Sequence, residues 1–363
     1  MPNPEWLPGY GFPRRALPAD AHASCENDSH HFSGTPRMKR TAFTLALAAT
    51  AIAAQAEPAI VYDAGGKFDK SFNEAAYNGI ERFKKETGTA YLDFEISNDT
   101  QREQALRRMA QKGSDPVIAV GFGHASALEK VAKEFPKVHF AIIDSEVKQP
   151  NVQSVLFKDQ EGSFLAGWLA ATTSKSGKVG FVGGMDVPLI RRFQCGYEQG
   201  AKVANPKVEV VSNMTGTTPS AWSDPTRGGE LAKAQFSRGV DVVFAAAGGT
   251  GIGVYQAAKD QGKLAIGVDS NQNHLQPGTM LSSMLKRVDN AVYGLVTSAK
   301  NGSWKPGLVV LGLKEQGVGL AMDQYNAKLV SDDTKKKLAA VEADIVSGKQ
   351  SVANYTPEAG CKY

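Results

Sequence analysis

An α/β fold of two lobes, each a parallel sheet with helices on both faces, is what this sequence predicts. Short β-prone apolar runs alternate with amphipathic segments of helical period almost without interruption, which is the pattern of strand and crossover helix. About ten such runs occur, more than one open sheet holds comfortably, so they divide between two. A chain of 363 residues with 42% hydrophobic content can fill one large core or two ordinary ones. Its 41 basic and 37 acidic side chains are mixed along the chain for a net charge of +4. No basic face therefore suggests nucleic acid or an anionic membrane.

Residues 1–37 are rich in Pro, His, Asp and Ser and show no periodicity. They precede a second methionine, Met38, followed by Lys39 and Arg40, an apolar run over 41–54, and Ala54, Gln55 and Ala56. A positive region, an apolar run and a small-x-small site make a secretory signal peptide over 38–56, with Met38 as the start. The apolar run falls short of the roughly 20 residues a membrane span needs. Export follows, with a mature chain from Glu57. That chain keeps Cys195 and Cys361 while Cys25 is discarded, and two distant cysteines in an oxidising compartment predict a disulfide. With Ala56 and Glu57 at the cleavage site rather than cysteine, a lipid anchor is not expected.

The mature chain opens on a strand at 59–62. Asp63, Ala64, Gly65 and Gly66 then permit a turn that brings backbone close to a partner. Ser71 and Glu74 have the spacing of a capping box, so a helix is expected to start at Ser71. Phe72 and Asn73 then lie in its first turn, at the carboxyl end of the first strand, where open α/β sheets place their ligands. Asp63 and Asp69 read as residues that fix the turn through side chain to backbone bonds. Further strands are expected at 90–96, 116–120, 139–144, 152–157, 178–182, 208–212, 240–246, 264–268 and 280–285, with helices over 73–85, 101–112 and 125–134 among those between them.

Several of these strands end in residues suited to a cleft. Gly121, Phe122 and His124 follow one, Asp144 another, Gly183 and Gly184 a third, the glycine-rich run 248–253 a fourth, and Asp269 a fifth. Glycine there lets amides approach a ligand, and an aspartate accepts hydrogen bonds from ring N–H or hydroxyl groups. The run 248–253 lacks the Lys-Ser/Thr ending of a phosphate-binding loop and the spaced acid of a dinucleotide fingerprint, so it reads as a tight strand-to-helix turn. No dinucleotide or other cofactor is expected. Of six histidines, His22, His30 and His31 fall in the leader, and His124, His139 and His274 share no metal-ligand spacing. With no nucleophile elbow either, the economical role is binding without chemistry, and the chain is not expected to be an enzyme.

The segments DAGGKFDKSFNEAAYNG at 63–79, IIDSEV at 142–147, SVLFKDQEGSFLAG at 154–167, KVGFVGGMD at 178–186, WSDPTRG at 222–228 and GVDSNQN at 267–273 carry a family likeness. In them the chain strongly resembles the basic membrane protein family of ABC-transporter substrate-binding proteins, of the purine nucleoside receptor A type. The resemblance covers almost all of the mature chain. It implies a type I periplasmic-binding fold, two Rossmann-like lobes joined by several hinge strands. Residues 57–173 with about 270–300 are expected to form lobe 1, 174–269 with about 301–350 lobe 2, and 351–363 a tail.

The same resemblance implies a site. Phe72 and Trp222 would sandwich a flat base, Asn73 and Asp144 would read its edge, and Phe122 would wall the pocket. Asp269 and Lys286 match positions that hold ribose hydroxyls, with Gly248 and Gly249 supplying backbone contacts. The implied ligand is a purine nucleoside or base, and the implied partners are an inner-membrane ABC permease and its ATPase, served by a periplasmic monomer. Trp222 is larger than the phenylalanine common among nucleoside receptors. Riboflavin, a sugar or an autoinducer are alternative ligands for this fold, and a periplasmic nucleoside hydrolase is a rival of another class.

Overall fold

A computed structural model describes residues 56–363. The leader expected at 1–37 and the signal segment expected at 38–56 lie, apart from Ala56, outside the described residues. In chain order the first elements are β1 (Ala59–Tyr62), α1 (Phe72–Thr87), β2 (Leu92–Glu95), α2 (Arg102–Gln111), β3 (Val117–Val120), α3 (Ala125–Glu134), β4 (Phe140–Ile143) and β5 (Val152–Phe157). There follow α4 (Asp159–Thr173), β6 (Lys178–Met185), α5 (Pro188–Ala204), β7 (Glu209–Gly216), α6 (Pro225–Ser237), β8 (Val242–Ala246), α7 (Gly251–Asp260), β9 (Leu264–Asp269) and β10 (Met280–Lys286). The chain closes with α8 (Val288–Lys300), β11 (Gly307–Leu311), β12 (Val318–Leu320) and α9 (Asp332–Val346).

Two sheets result. The first has the order β11-β5-β4-β3-β1-β2 and is parallel throughout. The second has the order β12-β10-β9-β8-β6-β7, parallel except for β12, which runs antiparallel to β10. Strands β1, β3, β4 and β8 are buried along their whole length, as strands covered on both faces must be, and this is why they read as unbroken apolar runs rather than alternations. Helix α4 is apolar on nearly every side and buried over most of its length, packed on α5, α9 and the second sheet.

The chain passes between the sheets three times: from β5 into α4, from β10 into α8, and from β11 to β12. This corrects the expected lobe boundaries. Within 270–300, β10 belongs to the second sheet, while α8 packs on α1 beside the first. Within 301–350, β11 pairs with β5 in the first sheet. Sheet membership is decided by pairing between residues far apart in sequence, which local pattern does not encode. Neither β11 nor β12 was expected as a strand. β11 is an edge strand with Leu308 and Val310 exposed, and β12 is only three residues long.

Cys195 on α5 is bonded to Cys361, with the Cα atoms 5.5 Å apart. The tail is thereby fastened to the second lobe. Among the described residues no helix is long and apolar enough to cross a membrane.

Candidate functional site

In each sheet the chain leaves its first strand for one neighbour and later returns to the other side, so β1 and β3, and likewise β6 and β8, flank a topological switch point. Ligands of open α/β sheets settle at the carboxyl ends of strands at such points. Here the two carboxyl edges share one cavity, at the kind of place where small-molecule sites of such sheets lie. Phe72, Asn73, Phe122 and Asp144 from the first lobe line it, with Trp222, Gly248, Asp269 and Lys286 from the second. Gly249 does not. It lies behind Trp222, where an added Cβ would stand 3.2 Å from the Trp222 carbonyl oxygen.

The turn after β1 is organised differently from the capping box expected there. Ser71 is the N-cap residue of α1 but makes no side-chain cap. Asp69 replaces it, one carboxylate oxygen accepting from the backbone N–H of Ser71 at 2.8 Å and Glu74 at 3.1 Å, the other from Asn73 N–H at 3.0 Å. The Ser71 hydroxyl is thereby free to reach the other lobe, donating to Asp269 Oδ2 at 2.5 Å. Ser270 Oγ donates to the Ser71 carbonyl at 3.0 Å, and Gln272 Nε2 to the Lys70 carbonyl at 2.8 Å. These three bonds latch the lobes together. Gln272 is itself pinned, its Oε1 accepting from Tyr255 Oη at 2.7 Å and Val268 N–H at 2.8 Å.

Asn73 faces the cavity but is committed to the turn. Its Nδ2 donates to the carbonyls of Asp63 and Gly66, both at 3.1 Å, and its Oδ1 accepts from Asp63 N–H at 3.2 Å. Only one lone pair of Oδ1 is left over. Both of its N–H groups are spent on holding the loop, so only Oδ1 is left to meet a ligand. Asp63 and Asp69, expected to fix the turn, also line the cavity. Asp63 accepts from Ala64 N–H and pairs with Arg102 Nη1 at 2.7 Å.

Two glycines give the cavity its aromatic walls. Gly121 has φ +105°, and an added Cβ would lie 2.1 Å from an Asp63 oxygen, so only glycine lets β3 turn there toward Phe122. At Gly184 an added Cβ would lie 2.1 Å from the Trp222 ring; the indole rests on bare backbone at the end of β6. Leu189, Ile190 and Phe193 of α5 complete an apolar wall.

The polar side of the cavity is dominated by buried charge. Asp144 and Asp269 end their strands with φ of +69° and +64°, a left-handed backbone that aspartate tolerates better than most residues. Lys286, 2% exposed, donates to Asp144 Oδ2 at 2.7 Å and pairs with Asp159 Oδ1 at 3.0 Å. Its ammonium lies 5.1 to 5.5 Å from the ring centres of Phe72, Phe157 and Phe193. Burial works against that charge, yet Asp144, Asp159 and Asp269 together hold Lys286 above its ordinary value. Asp144 Oδ1 is buried and has no hydrogen-bond partner. Burial pushes Asp269 up to about 7, with Lys286 and the Ser71 hydroxyl pulling the other way. Burial likewise lifts Asp69 to about 6 against its three backbone donors.

Asp159, Gln272 and Arg102 are not singled out by the sequence, and Ser71 only as a helix cap. An acid opening a helix reads as a first-turn residue satisfied by the helix dipole, and nothing local marks Asp159 as the partner of a lysine more than a hundred residues away. His124 is fully buried; burial, then Arg102, takes it down to about 3 against a backbone interaction with Tyr62, and it lines none of this cavity. Among the described residues no group of three or more His, Cys, Asp and Glu side chains stands close enough to hold a metal ion.

Comparison with known proteins adds an independent line. Residues 56–355 match the family model described as ABC transporter substrate-binding protein PnrA-like. The CD4+ T-cell-stimulating antigen of Listeria monocytogenes is 35% identical over 313 residues, covering 80% of this chain and 86% of that protein. The ABC transporter nucleoside-binding protein BmpA of Lactococcus lactis subsp. cremoris is 34% identical over 317 residues, covering 81% and 88%. Among solved structures, a solute-binding protein of an ABC transporter system from Aeropyrum pernix K1 superposes with a TM-score of 0.76 at 30% identity, covering 82% of this chain and 93% of that one.

Proposed function

This chain belongs to the PnrA-like family of ABC transporter substrate-binding proteins, and from that premise we propose that it takes a purine nucleoside or purine base into the cavity between its lobes. One observation carries the reading: an aromatic ring from each lobe, Phe72 and Trp222, lines a cavity whose polar surface includes Asp144, Asp269 and Lys286. Two rings supply faces for a flat heterocycle. The unpartnered Asp144 Oδ1 suits a ring N–H or amino group, and Asp269 with Lys286 suits vicinal hydroxyls, one accepting and the other donating.

Ligand held by both lobes favours the closed state, because only that state makes both sets of contacts. The closed protein delivers its ligand to an inner-membrane permease driven by an ATPase. We place it in the periplasm as a monomer free of lipid, with Glu57 as the first residue, which mass spectrometry of the exported protein tests. No catalytic step is proposed.

Thermal-shift and calorimetric titration against nucleosides, bases, flavins and sugars tests the ligand. Inosine, guanosine or adenosine is expected to raise the melting temperature and sugars are not. Trp222→Ala is expected to weaken every flat ligand by about 1–3 kcal/mol, the worth of a stacking contact. Asp144→Ala is expected to reorder the preference among bases. Unaltered binding in both variants would sink the assignment.

A further inference from the structure

Building on the nucleoside reading of the cleft, we infer that Asp159, which lies outside the cavity wall, is a positioning residue that holds the Lys286 ammonium in place at the hinge whichever way the lobes stand. Lys286 is the last residue of β10, just before the second passage between the lobes, and Asp159 is the first residue of α4, just after the first passage. The two therefore meet where the crossing segments meet. Asp159 is 0% exposed and neither of its oxygens accepts a well-aligned hydrogen bond. Among the described residues, Lys286 is the one cation within ion-pair distance of it; Arg192 acts on it only from further away.

The two acids on Lys286 are not equivalent. Asp144 stands on the first lobe, so its bond to Lys286 crosses the cleft and depends on lobe position. Asp159 and Lys286 stand on the same lobe, through α4 and β10, which pack directly on each other. Their pairing survives opening. Asp144 takes one of the three donors of the ammonium, Asp159 holds the group through charge at 3.0 Å, and a donor is left for the cavity that Lys286 lines. Phe72, Phe157 and Phe193 enclose the group with rings rather than acceptors. Without Asp159 the ammonium would keep only Asp144, across the cleft, within ion-pair distance, with Asp269 acting from further away, and truncating one partner of such a buried pair is costly.

The full chain is used for the test, by nitrogen-15 NMR of lysine ammonium groups and by calorimetry. A slowly exchanging Nζ signal, assigned by its loss in Lys286→Met, is expected without ligand and is expected to broaden or vanish in Asp159→Asn. The same variant is expected to lose about tenfold or more in inosine affinity, as when one partner of a buried charge pair is truncated. Hypoxanthine, which lacks the sugar, is expected to lose much less. Adding Asp159→Asn to Lys286→Met is expected to cost inosine binding nothing further, the non-additivity of a coupled pair. An unchanged Lys286 signal, or wild-type inosine affinity, in Asp159→Asn overturns the inference. Failure of the wild-type protein to bind inosine would refute the nucleoside reading instead, and the ligand-free ammonium signal would still decide the role of Asp159. If Asp159→Asn does not fold, rescue by the second substitution supports the pairing and lack of rescue counts against it.

Discussion

Asp269 is expected to tie ligand binding to pH. Its carboxyl is raised by burial to about 7 from about 4 in an unfolded chain, so the folded protein holds that proton more tightly than the unfolded one. The stability this contributes is fully present below about pH 4 and is lost as pH rises through about 7. Asp69, lifted to about 6, acts in the same direction. The ligand-free melting temperature is therefore expected to fall between about pH 4 and pH 7, and Asp269→Asn to flatten the upper part of that fall. A ribose hydroxyl donating to Asp269 requires the carboxylate, so nucleoside affinity is expected to rise over the same window with release of a proton. Calorimetry in buffers of different ionisation enthalpy checks both. A base without its sugar is expected to show little of this dependence.

Helices α4 and α5 set the cavity wall through backbone contact. An added Cβ at Gly167 would lie 1.9 Å from the Tyr197 carbonyl oxygen, and one at Gly200 the same distance from the Phe164 carbonyl oxygen. The two helices touch main chain to main chain, and any larger residue forces them apart. Gly200→Ala is expected to cost about 1–3 kcal/mol or more, the range for overpacking a filled interior, read as a drop in melting temperature of several degrees. Because α5 also carries Leu189, Ile190 and Phe193 of the cavity wall, ligand affinity is expected to fall with it. The alternation of elements was legible because each strand had its apolar run and each amphipathic helix its stripe. The capping of α1 was not, since Ser71 and Asp69 are both competent caps and only the pull of Asp269 across the cleft decides between them.

Two constraints act on the whole molecule. The Cys195–Cys361 bond closes a separation of 166 residues, and removing it with Cys361→Ser is expected to cost on the order of 4 kcal/mol through the freed unfolded chain. The bond lies outside the cavity, so ligand affinity is expected to stay the same, with chemical denaturation and calorimetry as the two measurements. The latch of Ser71, Ser270 and Gln272 acts on lobe position instead. Gln272→Ala removes the Lys70 bond along with the acceptor of Tyr255 and Val268. Small-angle scattering of the ligand-free variant is expected to show a larger radius of gyration, with the difference closing once ligand is added.

Sequence by itself determined the strand and helix alternation and the division into two lobes, and, with the family resemblance, about half of the residues that share the cavity. Apolar runs, turn glycines and strand-ending acids are local features, and order along the chain preserves them. Tertiary structure alone decided which sheet β10 and β11 join, that Asn73 is spent on its own loop, that Ser71 turns from cap to latch, and that Asp159 stands beside Lys286. Each of those depends on a partner far away in sequence. A buried group's hydrogen bonds and charge are settled by what packs against it, and that is known only once the chain has closed on itself.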